Sequence, residues 1–254
     1  MNIELEVSGF KYEASFSDKE ISDIYIPLLK KLSDMREEKG KRLIIFLAAP
    51  PAVGKSTLAV FLQKLSKGLT NTTPIQSLSL DGFHYSNEFL KTNKIIINKV
   101  KHTLYEIKGM PETYNLESFI SHLENLKSKN IKWPIYDRNL HNSVVDIVDV
   151  TSDIVLIEGN WLLLNEEGWK GLKSLCDYSI FIEANEEVLK NRLVNRKIRG
   201  GLSEQKAFEF YERTDKINVL RVMENRLSAD LTLKMLDSGE NIIKDSYLIH
   251  IIDA

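Results

Sequence analysis

Apolar and polar residues alternate on both sides of Ser8-Gly9 in "IELEVSGFKYEASF", and this period of two predicts a β-hairpin with a two-residue turn. The period then lengthens. "SDKEISDIYIPLLKKLSDMREEKG" opens on Ser17 with acidic residues in its first turn and closes at Gly40, the start and stop signals of a helix. Next comes the continuous apolar run "LIIFLA", the mark of a strand covered on both faces in a parallel sheet. A helical pattern over 55–67 follows, then a second strand, "IQSLSL", leading to Asp81. Beyond a helix over 116–127, three more apolar strands are expected in "VVDIVDV", "DIVLIEG" and "DYSIFIEA". A long helical stretch and one more strand, "ADLTLKML", complete the pattern. Strands alternating with helices predict one α/β domain over 1–254. Its open, mostly parallel sheet carries helices on both faces, with the hairpin and helix of 1–40 as an N-terminal extension. Segment 83–112 has few periodic signals and is expected to be an insertion on the substrate side.

Chemistry enters at "FLAAPPAVGKSTLAVFL". A phosphate-gripping loop needs inward-facing backbone N–H groups, a helix N-terminus behind them, a lysine and a metal-facing hydroxyl. Gly54, Lys55 and Ser56 supply these, with Pro51, Ala52, Val53 and Thr57 completing the loop. The first glycine of the usual G-x-x-x-x-G-K-[S/T] spacing is Ala49 here, and Ala52 fills a second place that is often glycine. The plain alternative is a turn at Gly54 with Ser56 or Thr57 capping a helix. The strand before the loop and the helix after it favour the nucleotide site.

Phosphoryl transfer to a hydroxyl also needs a carboxylate facing the loop. Asp81, which ends an apolar strand, is the candidate base, since ligands of such sheets bind beyond the carboxyl ends of the strands. Glu158, at the end of "DIVLIEG", stands where a Mg²⁺-holding acid would stand. Arg192, Arg196 and Arg199 are spaced i, i+4, i+7 and would share one helix face ahead of Gly200-Gly201, which suggests a lid over 190–203. A solvated basic helix end would read the same way. "WPIYDRNLH" crowds aromatic, acidic and basic groups, including Tyr136, Asp137 and Arg138, that could orient a small polyol; a turn over a core Trp133 is the alternative.

Composition narrows the partners. With 34 Lys and Arg against 36 Asp and Glu, the net charge of -2 gives no reason to expect nucleic acid or an anionic membrane. Cys176 is the single cysteine, so no intrachain disulfide forms and a reducing, cytoplasmic setting is expected. No export signal is visible, and the longest apolar run is short and broken by proline. The N-terminal hairpin leaves an edge through which two copies could pair as a homodimer.

Taken in order, "PPAVGKST", "LDGFHYSN", "KGMPETYN", "PIYDR" and "VLIEGNWLLL" resemble the phosphoribulokinase, uridine kinase and bacterial pantothenate kinase superfamily over 43–236. "WPIYDRNLH" and "RKIRGGLSEQKAFEFYERTD" are most similar to its nucleoside/nucleotide kinase-like branch, also labelled fructose-transport-system kinase. The resemblance implies a P-loop kinase fold, ATP and Mg²⁺ as cofactors, Asp81 as base, and Glu158 with Ser56 at the metal. It implies lid arginines among Arg192, Arg196 and Arg199, with Arg196 and Lys55 at the transferring group. Substrate contacts are implied at His84, Tyr85, Lys108, Tyr136, Asp137, Arg138 and Asn160. The expected reaction is γ-phosphoryl transfer from ATP to a hydroxyl of a sugar or sugar-like small molecule, with nucleoside or pantothenate as alternatives. The rival from another class is a nucleotide switch or ATPase without an acceptor. Against it, neither Asn93-Lys94 nor Asn98-Lys99 continues as a guanine-reading Asn-Lys-x-Asp.

Overall fold

The computed structural model describes residues 1–7, 10–97 and 99–246. Strands β1 (Asn2–Val7) and β2 (Phe10–Ser15) pair antiparallel with Val7 opposite Phe10. The predicted turn residues Ser8 and Gly9 lie outside the described residues. A continuous helical run follows, made of α1 (Asp18–Glu20), a π turn (Ile21–Tyr25) and α2 (Ile26–Lys39). Ser17 starts it with a capping box, accepting from the Glu20 N–H while the Glu20 carboxylate accepts from the Ser17 N–H. Gly40, at φ +64°, ends it in the left-handed conformation.

The centre is a six-stranded sheet. Strand β3 (Leu43–Ala48) leads through a loop to α3 (Lys55–Gly68) and β4 (Ile75–Ser79). The chain after β4 carries α4 (Asn87–Thr92) and a small hairpin, β5 (Lys94–Ile97) with β6 (Val100–Thr103). Helix α5 (Leu116–Leu126) then precedes a second hairpin, β7 (Ile131–Asp137) with β8 (Asn142–Val150). The chain continues through β9 (Ile154–Gly159), β10 (Tyr178–Ala184), α6 (Glu186–Arg199), α7 (Glu204–Phe210), a π turn (Tyr211–Asp215), α8 (Lys216–Glu224), β11 (Leu231–Met235) and β12 (Asn241–Ser246). The strand order is β12-β11-β10-β3-β9-β4, parallel except for β12.

All six residues of β3 are buried, and they face two different layers, as a pleated strand between helices must. Leu43, Ile45 and Leu47 pack with Leu29, Phe61 and Leu189, whereas Ile44, Phe46 and Ala48 pack with Phe119, Trp133 and Trp161. The N-terminal extension joins the first layer through Leu5 and through Phe16, whose ring stacks on Phe61 at 3.7 Å.

Two expectations change. "VVDIVDV" is a strand, but it belongs to the outlying β7–β8 hairpin and not to the central sheet. The alternating aspartates reflect that position: Asp146 and Asp149 are exposed, and Asp146 takes φ +55°. Its partner "IKWPIYD" reads poorly as a strand because Pro134 cannot donate to a ladder. The proline sits where the register shifts between Trp133 and Ile135, a place a proline tolerates. Strand β12 is an addition that the sequence pattern did not suggest.

The hairpin is held against the site by Trp133, whose indole N–H donates to the Ser79 carbonyl at 2.9 Å, and by a close approach at Gly82. A β-carbon on Gly82 would stand 2.1 Å from the Pro134 carbonyl oxygen. Gly82→Ala is therefore expected to destabilise the protein by about 1–3 kcal/mol, the usual range for overpacking, in denaturant unfolding.

Candidate active site

The parallel register places Leu47 opposite Glu158 and Glu158 opposite Ser79, so β3, β9 and β4 end level with one another. Everything attached to those ends is brought to one crevice. From β3 the loop climbs through buried Pro51 and Val53 to Gly54, which caps α3 at φ +102°. Ala52 sits at φ +65°, so a methyl-bearing residue occupies the left-handed region where glycine is usual. Ala49 does not share that conformation, and its methyl is buried in the core. The two missing glycines are thus unequal: one is free of backbone strain and the other is strained.

Lys55 and Ser56 begin α3 and point at the end of β9. The Ser56 hydroxyl donates to Glu158 Oε1 at 3.0 Å, and the Lys55 ammonium lies 3.9 Å from Oε2. Glu158 is 6% exposed. Burial pushes its carboxyl above the ordinary carboxylate range, while Lys55 pulls it back toward the charged form. Gly159 next to it admits the β4 turn, since a β-carbon there would stand 2.7 Å from that of Leu80. Asn160 follows with its side-chain oxygen buried and without a protein partner among the described residues.

Asp81 lies in a 3-10 turn (Leu80–Phe83) just past β4, its N–H held by the Ser79 hydroxyl at 3.2 Å. Its carboxylate accepts from the Tyr114 hydroxyl at 3.1 Å. Burial and the Asp81 charge drive that phenol well above its ordinary value, so it remains a donor. His84 stacks on Tyr114 at 3.8 Å, and burial holds its imidazole below the usual histidine value. A cavity of about 350 Å³ joins Ser56, Glu158 and Asp81 to Ser77, Ser79, Trp133, Tyr136, Asp137 and Arg138.

Several predicted residues are brought together here and others are not. Tyr136 and Arg138 line the cavity, and among the described residues the Arg138 guanidinium has neither hydrogen-bond nor ion-pair partner. Asp137 lines it too, but its Oδ1 closes the hairpin turn by accepting from the Asn139 and Leu140 N–H groups. Lys108 stands 4.7 Å from the Tyr136 ring centroid and is anchored on Asn87 Oδ1 and the His141 carbonyl. Tyr85 instead stacks on Phe89. Arg192 braces the loop, with Nη1 3.4 Å from the Ala52 and Val53 carbonyls. Arg196 and Arg199 are exposed, near the end of α6. Thr57 is half-buried in the first turn of α3. Sequence reasoning missed Tyr114, though the "KGMPETYN" segment contains it, and missed Ser79, which has no spacing signal.

The chain also matches known proteins. Residues 44–225 match the model of the phosphoribulokinase / uridine kinase family. The chain belongs to that family. It is accordingly a kinase, an ATP-dependent phosphotransferase with an alcohol group as acceptor. Within the family it is 41% identical to the uncharacterised Escherichia coli K12 protein YggC, over 94% of this chain and 98% of that one. It is 30% identical to the pantothenate kinase of Histophilus somni strain 129Pt, over 92% of this chain and 83% of that one. Among solved structures it resembles a Silicibacter sp. TM1040 protein named for a suspected role as a fructose transport system kinase. That match has a TM-score of 0.69 and 30% identity, and covers 80% of this chain and 98% of the other. Among the described residues no helix is long and apolar enough to cross a membrane.

The strained loop position gives a direct check. Ala52→Gly is expected to raise the unfolding free energy by about 1 kcal/mol, the size of the left-handed penalty it removes, in denaturant titration.

Proposed function

We propose that this kinase phosphorylates a hydroxyl of a sugar or sugar-like metabolite, with Asp81 as the base. The observation that carries the reading is the shared cavity: Asp81 and the Ser56–Glu158 pair open onto one space, whose other walls set the polar side chains of Ser77, Tyr136, Arg138 and Asn139 among apolar ones such as Val60, Ile135 and Val148. Such a lining suits a compact molecule rich in hydroxyls. Lys55 and the loop N–H groups would hold the phosphates, and Ser56 with Glu158 would hold Mg²⁺. Among the described residues no cluster of three or more His, Cys, Asp or Glu converges on a metal position. Two protein groups fit the need, because Mg²⁺ at such sites relies on substrate phosphates and water for its other ligands. Bound MgATP supplies the electrophilic phosphorus and the charge that the site must stabilise. Asp81 orients the acceptor hydroxyl and takes its proton as the phosphoryl group passes from ADP to that oxygen, while Tyr114 fixes the carboxylate by donating to its Oδ1. Lys55 and the α6 arginines offset the charge on the transferring group.

A nucleoside is the second reading. His84, Tyr114 and Tyr136 form an aromatic group beside Asp81, with the His84 and Tyr136 ring centroids 5.6 Å apart, and such a group could hold a base.

ADP formation measured against a panel of sugars, nucleosides and pantothenate tests the reading. A sugar is expected to give the highest kcat/KM, and Asp81→Asn to lower it by about 10²–10⁴-fold. Full turnover by Asp81→Asn would remove the base assignment, and a nucleoside or pantothenate as best acceptor would remove the sugar reading.

A further inference from the structure

The π turn (Tyr211–Asp215) and the start of α8 concentrate polar atoms that lack partners. The Tyr211 hydroxyl, Asp215 Oδ2 and Asn218 Oδ1 are all buried and, among the described residues, accept or donate no hydrogen bond. Asp215 is 8% exposed and Asn218 6%. Asp215 and Asn218 lie three residues apart, so their acceptors share one helix face. Native proteins satisfy nearly all buried polar atoms, and a carboxylate is the most expensive one to leave unpaired. Packing an apolar residue at the same place would remove that cost. An unpaired acid at this position therefore calls for a second state in which a donor reaches it.

The neighbouring element supplies donors. Helix α6 packs against α7, the π turn and α8, and its last turns carry Arg196, Lys197 and Arg199. Lys197 is already placed, its ammonium 3.6 Å from the Phe210 ring centroid. Arg196 is exposed and without a partner among the described residues. Burial pushes the Asp215 carboxyl up, and of the three cations in the last turns of α6 it is Lys197 and then Arg196 whose charges draw it back down. Arg196 also follows Arg192 by one turn, and Arg192 touches the phosphate loop itself. After Arg196 the chain turns through Gly201 at φ +97°, a conformation glycine adopts freely and a natural place for α6 to pivot on α7. A free metal ion is a poor occupant for the Asp215 site, because the Lys197 and Arg196 charges already act on it. A guanidinium from the same helix fits it.

We propose that Asp215 is the positioning residue for Arg196: as α6 closes, one edge of the Arg196 guanidinium is received by Asp215, with Asn218 as the adjoining acceptor, and the other edge is presented to the phosphates over the Gly54–Lys55 loop. Arginine suits this because its planar fork holds two anionic partners on separate edges, which an ammonium does not. The inference rests on the kinase reading above, since it gives the arginine a phosphate to meet.

The test is a double-mutant cycle of Asp215→Asn and Arg196→Ala in the full chain. Three quantities are read: affinity for a non-hydrolysable ATP analogue with Mg²⁺, kcat with the best acceptor, and the thermal midpoint without nucleotide. Each single variant is expected to weaken analogue binding by about ten- to hundredfold, the value of a hydrogen bond to a charged group. The double variant is expected to fall within about twofold of Arg196→Ala, because the two residues act as a unit. The nucleotide-free midpoint of Asp215→Asn is expected to equal or exceed the wild type, since a buried carboxyl with no hydrogen-bond partner at Oδ2 is replaced by a neutral group. A merely structural aspartate would lower it. Losses that multiply in the cycle, or wild-type analogue binding by Asp215→Asn, would overturn the proposal. If no acceptor supports transfer, the substrate reading fails while the analogue-binding cycle still decides the role of Asp215.

Discussion

The hydrogen bond from Ser56 to Glu158 is the contact on which the rest of the site depends. It exists because β3 and β9 are parallel neighbours in a register that ends both at the same level. One strand delivers the phosphate loop and its serine, the other delivers the acid. The third strand, β4, ends beside them and turns Asp81 toward the same space. A slip of one residue in β9 would send Glu158 to the other face of the sheet, since side chains alternate along a strand. Both strands are buried along their whole length, so such a slip would also take the Glu158 carboxyl away from Ser56 and Lys55 and into an apolar layer.

The site also holds strain and buried charge that the core offsets. Glu158 is buried against its own preference for water, Ala52 is held at a positive φ, and His141 takes φ +49° where its carbonyl anchors Lys108. Strained and unsatisfied groups gather where ligands act, because there the backbone is placed by what it must contact and not by its own preferences. Asn160, two residues after Glu158, adds a buried side-chain oxygen without a protein partner among the described residues.

Much of the fold was legible in the chain. The helix ends at Ser17 and Gly40, the apolar runs of β3, β9 and β10, and the loop at Gly54 each have a local cause that spacing reveals. Segment 131–150 was not, since a proline breaks one strand and exposed aspartates interrupt the apolar run of the other. What sets their pairing is remote: Trp133 bonded to Ser79 and the contact at Gly82. Asp81 and Glu158 could be proposed because each lies at or just past a strand end. Tyr114 and Asp215 could not be, because their meaning comes from partners 33 residues away in one case and from a missing partner in the other.

The central claim is that the crevice passes a phosphoryl group to a hydroxyl and does not simply release it to water. The most direct measurement follows the fate of that group, with ADP, inorganic phosphate and phosphorylated acceptor quantified together in one reaction containing Mg²⁺, ATP and the best acceptor of the panel. The account predicts that phosphorylated acceptor rises in step with ADP while inorganic phosphate stays near background. ADP matched by inorganic phosphate, with no phosphorylated acceptor, would contradict it.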